Sequence, residues 1–111
     1  EAVGISAEDL ERPAAAVSEA ARVRAHLARA LSLDPSVVVL EHPTLRVDRA
    51  DAAALGASIA RATAGRRLGL LALTDDEELS KGMDARRLKL HASTGDVTTA
   101  ESLRRRLWGR R

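Results

Sequence analysis

The apolar and polar positions fall into blocks whose periodicity alternates between helical and strand-like. After Ser18, the residues Val23, Leu27, Ala30 and Leu31 share one face at helical spacing, which predicts a helix to about Leu33 with Ser18 as its N-cap. Arg22, Arg24 and Arg29 lie off that stripe. Asp34-Pro35 ends the helix, because proline disfavours helical geometry in the residue before it. Val37 to Leu40 then runs apolar without alternation and predicts a strand buried on both faces. Asp48 is the expected cap of a second helix, in which Ala52, Leu55, Ile59 and Ala62 share a face, and Gly65 is placed to end it in a left-handed conformation. Leu68 to Leu73 predicts a second buried strand.

Strand, helix and strand within roughly 40 residues make a βαβ unit, with parallel strands and a right-handed crossover. The expected fold class is therefore α/β. Further on, residues 75–84 predict a short acidic helix, and Arg86 to His91 alternates as a strand. Ser93-Thr94-Gly95-Asp96 turns into Val97 and closes a hairpin. Thr98 and Glu101 are spaced as a capping box for a last helix, with Leu103 and Leu107 as a narrow apolar stripe between arginines. No internal repeat or low-complexity linker interrupts the pattern.

At 111 residues there is room for one modest core, and 45% apolar with 31% charged residues is an ordinary globular balance. Phe and Tyr are absent and Trp108 is the sole aromatic, so Ala, Leu and Val must supply the core and stacking platforms for single-stranded nucleic acid are excluded. The absence of Cys removes disulfides and thiolate metal sites. No apolar run approaches the ~20 residues of a membrane helix, and the acidic start with Glu1, Glu8, Asp9 and Glu11 is unlike a signal peptide. Because Glu1 stands where an initiator Met would, a processed or truncated piece of a longer chain is expected. The formal charge is +2, yet residues 1–100 carry thirteen Lys and Arg against fifteen Asp and Glu, so the basicity belongs to Arg104, Arg105, Arg106, Arg110 and Arg111.

Residues 17–44 read VSEAARVRAHLARALSLDPSVVVLEHPT. This resembles the second half of an ATP-binding cassette (ABC) ATPase, the nucleotide-binding domain of ABC transporters. In that family an LSGGQ signature opens a helix containing LARAL, an xDP loop follows, and four apolar residues lead into the Walker B sequence LDEPT. Here Val17 to Ala21 occupies the signature, Leu27 to Leu31 is LARAL, and Leu40 to Thr44 is LEHPT. Leu45-Arg46-Val47-Asp48 stands where the family has its D-loop SALD, and Leu73-Thr74-Asp75-Asp76 where it has the switch histidine of VTHD. Arg86 to Val97 resembles the terminal hairpin and residues 2–13 the linker before the signature. The likeness covers roughly residues 2–98. It implies a partial P-loop NTPase core of ABC type, with the βαβ unit, part of the helical subdomain and the hairpin in residues 1–98 and a basic amphipathic tail in residues 99–111.

The departures bear on chemistry. The family holds the triphosphate in a Gly-rich Walker A loop with its Lys. No such loop occurs here, and Lys81 and Lys89 follow no Gly-rich turn. Glu41 replaces the magnesium-binding Asp, and His42 replaces the Glu that orients attacking water. Asp75 replaces the switch histidine and brings a carboxylate where the γ-phosphate would lie. In the signature, Ser18 is retained, but Glu19 takes the first Gly position and Ala20 and Ala21 the next two. Phosphoryl transfer depends on positioning and charge stabilisation, so these losses remove most of what the fold contributes.

The resemblance thus implies a degenerate ABC-type ATPase segment, structural or regulatory within an ABC transporter assembly, without ATP hydrolysis of its own. No catalytic residue is intact at Glu41, His42 and Asp75, and the family's nucleotide-contact positions fall on Ser18, Glu19 and Asp48. No cofactor is expected for this chain; ATP and Mg enter only if a Walker A segment is supplied elsewhere. Two alternatives stand beside this: part of an active ABC ATPase completed by an amino-terminal segment, and a stand-alone interaction module.

Glu41, His42, Asp75 and Asp76, at the carboxyl ends of neighbouring strands, are candidates for a divalent-metal site with Glu41 foremost, or are solvated or paired with Arg46 or Arg49. His26 and His91 read as surface or boundary residues. Expected partners are a second copy of the chain or an amino-terminal segment, since the uncharged edge of Leu68 to Leu73 is a template for pairing. An ABC transporter membrane subunit and, through the arginine tail, an anionic membrane surface are further candidates, whereas nucleic acid is not expected. The expected location is cytoplasmic, peripheral to the inner face of the membrane.

Overall fold

A computed structural model describes residues 2–99 of the chain. The last helix with Leu103 and Leu107, together with Trp108 and the arginine tail, lies outside the described residues. The elements run α1 (Ala7–Leu10), a 3-10 turn (Ala14–Ala16), α2 (Glu19–Leu31), β1 (Val37–Glu41), α3 (Arg49–Thr63), β2 (Gly69–Leu73), α4 (Glu77–Met83), β3 (Leu88–Leu90) and β4 (Val97–Thr99). This is a small mixed α/β domain with two two-stranded sheets.

The β1-α3-β2 segment is the expected βαβ unit, with β1 and β2 parallel and Val39 in register with Leu71. Helix α3 packs the predicted face inward: Ala52, Leu55, Ile59 and Ala62 are all buried, and Leu55 and Ile59 have no exposed surface. Gly65 follows the helix at φ +73°, the left-handed geometry its position calls for. From α2 come Leu27 and Leu31, from β1 Val38, and from α4 Leu79 and Met83. Val3, near the amino end, completes this core. The pattern of aliphatic residues anticipates the α2 and α3 faces; Val3, Leu79 and Met83 are additions that no periodicity marks.

Several expectations are corrected. Neither strand is buried on both faces: along β1 and β2 only one side meets the helices, and Val37, Val39, Leu71 and Leu73 on the other side keep 62, 56, 47 and 47% of their surface exposed. An unbroken apolar run reports the residues' chemistry but not whether a second layer covers them. Asp48 occupies the N-cap position of α3, yet its side chain makes no capping hydrogen bond. Thr98 is not a helix cap but a strand residue, paired with Lys89 across the β3–β4 hairpin and 3.0 Å from His91 Nε2 through its hydroxyl. By contrast Ser18 does cap α2, its Oγ accepting from the Ala21 amide at 3.1 Å. The acidic start contains a single helical turn, α1, capped by Ser6. Among the described residues no helix is long and apolar enough to cross a membrane.

Candidate functional site

Both parallel strands end at the same rim of the sheet, where Glu41-His42 and Asp75-Asp76 leave β1 and β2. The His42 amide donates to the Leu73 carbonyl at 2.8 Å, which extends the ladder by one rung and fixes the two exits side by side. The chain then reverses, with the Leu45 amide donating to the His42 carbonyl at 3.1 Å around Pro43 and Thr44. His42 itself sits at φ +44°, in the left-handed region that a β-carbon disfavours.

His42, Thr44, Leu45, Thr74, Asp75 and Asp76 line a hollow of about 200 Å³ at this rim. A second, larger cleft of about 360 Å³ runs from β1 to the start of α2, with Glu19, His26, Glu41, His42 and Arg46 around an apolar floor that includes Val23 and Val39. The fold therefore brings Glu19 to the same cleft as Glu41 and His42. Asp75 reaches only the first hollow. Ser18 and Asp48 line neither cavity, Ser18 being engaged as a helix cap.

The two adjacent aspartates have different tasks. Asp76 Oδ1 accepts from the amides of Glu78 at 2.9 Å and Leu79 at 3.1 Å, capping α4. The hydroxyl of Thr44, above all, holds the Asp76 carboxyl below its ordinary value of 3.8; the Leu79 and Glu78 amides and the Arg49 guanidinium act in the same direction, against the opposing effect of burial. Asp76 is thus an anion tied into the start of α4 through Oδ1. Asp75 is exposed and free of such contacts. Sequence reasoning missed Thr44, although an acidic first turn after Asp76 is the ordinary mark of a helix start.

With Glu41, His42, Asp75 and Asp76 at one rim, the local charge disfavours a triphosphate. Among the described residues no group of three or more His, Asp or Glu side chains is arranged so that it could hold a metal ion. Neither Arg46 nor Arg49 forms a salt bridge with these acids among the described residues, and Arg49 acts on Asp76 only through its field. His26 is exposed and His91 half-buried.

One polar cluster lies apart from this rim. Ser58 is buried on α3, donates to the Ala54 carbonyl at 3.0 Å, and receives the guanidinium of Arg24 from α2 at 3.2 Å and that of Arg61 at 3.4 Å. The Arg24 Nε beside it is buried without a hydrogen-bond partner. Comparison of the chain with protein-family models, with curated proteins and with solved structures finds no match in any of the three.

Proposed function

We propose that this chain is a degenerate ABC-type ATPase segment with a structural or regulatory role in an ABC transporter assembly, and that it does not hydrolyse ATP by itself. The observation that carries the reading is the pairing of two chain positions. The LEHPT and LTDD segments, which resemble Walker B and the switch, leave parallel strands side by side and share one hollow through His42, Asp75 and Asp76. Glu19, at the signature position, lies in the cleft next to it.

The same residues supply the argument against catalysis. Neither Lys is preceded by a Gly-rich turn. Asp76 is committed to Thr44 and to the α4 amides, and Asp75 adds negative charge where a γ-phosphate would have to sit. A rim with these charges suits a subunit that assembles without turning over nucleotide. ATP and Mg would be bound only with a phosphate loop supplied by another segment.

Calorimetric titration of the full chain with Mg-ATP tests the first half of the proposal: no saturable heat is expected, and a micromolar dissociation constant would overturn it. Co-expression with the ABC ATPases and membrane subunits of its own source cell tests the second. Co-purification with one of them is expected, and failure with all of them removes the assembly role.

A further inference from the structure

The Ser58 cluster gathers positive charge that the described residues leave without a counter-ion. Arg24 of α2 and Arg61 of α3 both donate to the Ser58 hydroxyl, at 3.2 and 3.4 Å, and that hydroxyl spends its own proton on the Ala54 carbonyl. The bonded nitrogens of the two guanidinium groups are thus at most about 7 Å apart, within the ~8 Å over which physiological salt screens charge. The two cations repel each other. No carboxylate offsets the repulsion, since the ion pairs of the described residues engage Arg12, Arg22 and Lys81 instead. Glu19, the sole acid of α2, is taken by Arg22, and Asp51, the sole acid of α3, lies about three turns before Arg61.

A third segment closes one side of the cluster. Val3 is anchored in the core, and Gly4 follows it at φ +78°, where a β-carbon would stand 3.2 Å from Ser58 Oγ and 3.7 Å from Arg24 Nε. That Nε is buried without a hydrogen-bond partner. Arg24 as a whole is only half-buried and Arg61 is exposed, so the cluster is open to a ligand from solvent at the ends of its two forks.

We propose that Arg24 and Arg61, gathered on the Ser58 hydroxyl, form a binding site for a phosphate-class oxyanion, either inorganic phosphate or the phosphoryl group of a monoester. Such an anion presents several oxygens to two planar guanidinium groups at once, and the charge-assisted hydrogen bonds it accepts are stronger than those to a neutral hydroxyl. A phosphoryl group near its dianionic state also balances two cations, which a single carboxylate does not. Arg24 is the fixed half of the site, held between Gly4 and Ser58. Arg61, whose bond to Ser58 is long, is the half that turns toward the ligand. With one guanidinium exposed, the dissociation constant is expected on the order of 1–10 mM. The site lies apart from the sheet rim and is independent of the ABC reading, and millimolar binding would not register as the micromolar Mg-ATP affinity that overturns that reading.

Proton–nitrogen NMR of the 111-residue chain, reading backbone amides and arginine Nε–H groups, provides the test. Sodium phosphate and glycerol 3-phosphate are titrated separately, with sodium chloride at matched ionic strength as the reference. Saturable shifts are expected at the Arg24 Nε–H and at the Ser58 and Arg61 amides, and chloride should not reproduce them. Binding of phosphate alone identifies the free ion as the ligand, whereas binding of both identifies the phosphoryl group. Arg61→Gln, at an exposed position, should keep the amide spectrum of the fold and weaken binding at least about fivefold. Arg24→Lys, which keeps the charge and loses the planar fork, should weaken it as well. Arg29→Gln removes an exposed arginine of α2 outside the cluster and should leave the affinity unchanged. Shifts that grow linearly without saturation, or that chloride reproduces, overturn the proposal. So does an affinity indifferent to both Arg61→Gln and Arg24→Lys, and so does a loss as large in Arg29→Gln as in Arg61→Gln.

Discussion

Gly56 and Gly82 meet backbone to backbone: a β-carbon built on Gly56 would stand 3.1 Å from the carbonyl carbon of Gly82 and 2.5 Å from the carbonyl oxygen of Leu79. From the other helix, a β-carbon on Gly82 would collide with the backbone carbonyl of Ala53, one turn before Gly56. Helices α3 and α4 can approach this closely only because both residues lack a side chain. That approach buries Leu79 and Met83 and carries the Asp76 end of α4 to the rim of the sheet. Two glycines inside helices, each costing up to about 1 kcal/mol of helix propensity relative to Ala, are offset by the packing they allow.

Gly82→Ala should therefore destabilise the fold by roughly 1–3 kcal/mol, as overpacking against rigid backbone does, despite the gain in propensity. Gly56→Ala should behave alike. Gly65→Ala offers the comparison, because nothing lies within 4 Å of a β-carbon there and only the φ of +73° opposes it, at about 1 kcal/mol. Urea unfolding curves check the order; a Gly82→Ala protein as stable as the parent would mean that the helices do not meet in this way.

Asp76 makes stability depend on pH in a definite direction. Its carboxyl in the fold lies below the ordinary 3.8 that it regains on unfolding, so the folded state favours the anion. The stabilisation is fully present above the unfolded value and is lost as pH falls through the lower, folded value. Asp76→Asn should flatten the stability curve in that acidic window, and Thr44→Val should reduce the slope in part by removing the donor that contributes most. Loss of the α4 cap in Asp76→Ala should cost about 1 kcal/mol at neutral pH. Thermal melts across the acidic range decide this, and an unchanged slope in Asp76→Asn would sink it.

Ser58 is the acceptor on which the α2 and α3 cations converge. Ser58→Ala leaves the half-buried Arg24 without that partner while its Nε already has none, and should cost about 1–3 kcal/mol. Replacing both, as Ser58→Ala with Arg24→Met, should recover part of the loss, because the orphaned donors leave together with the acceptor. A double-mutant cycle with no coupling energy would show that Arg24 is solvated independently of Ser58.

The sequence made much of the scaffold legible and less of the site. Helical periodicity marks Leu27, Leu31, Leu55 and Ile59, and the parallel pairing follows from two apolar runs joined by one helix. What escaped is set by contacts between elements. The open face of β1 and β2 carries the same Val and Leu residues as a covered one, so composition cannot distinguish them. Gly56 and Gly82 are helix-weakening residues until the neighbouring helix is in view. At the rim, spacing brought His42 and Asp75 together, but Asp76 looked like the equal of Asp75. Only the Thr44 hydroxyl and the α4 amides separate a structural carboxylate from a free one.

His42 carries the last prediction. Its φ of +44° places a β-carbon in a conformation that costs an L-residue about 1–2 kcal/mol, held there by the bond from its amide to Leu73 and by the turn to Leu45. Removing the β-carbon relieves this, while glycine adds freedom to the unfolded chain at up to about 1 kcal/mol. His42→Gly should thus be neutral or more stable by up to about 1 kcal/mol, the reverse of what removing a side chain from a satisfied network would give. His42→Glu, which introduces the carboxylate that the proposed function finds missing, should keep the strain and add a fourth acid to the rim beside Glu41, Asp75 and Asp76. It should be less stable than the parent at neutral pH and should still fail to release phosphate from Mg-ATP, since the phosphates have no cradle. Chemical unfolding of the two variants and a phosphate-release assay on His42→Glu check these outcomes; turnover in His42→Glu would show that the rim lacks only its carboxylate.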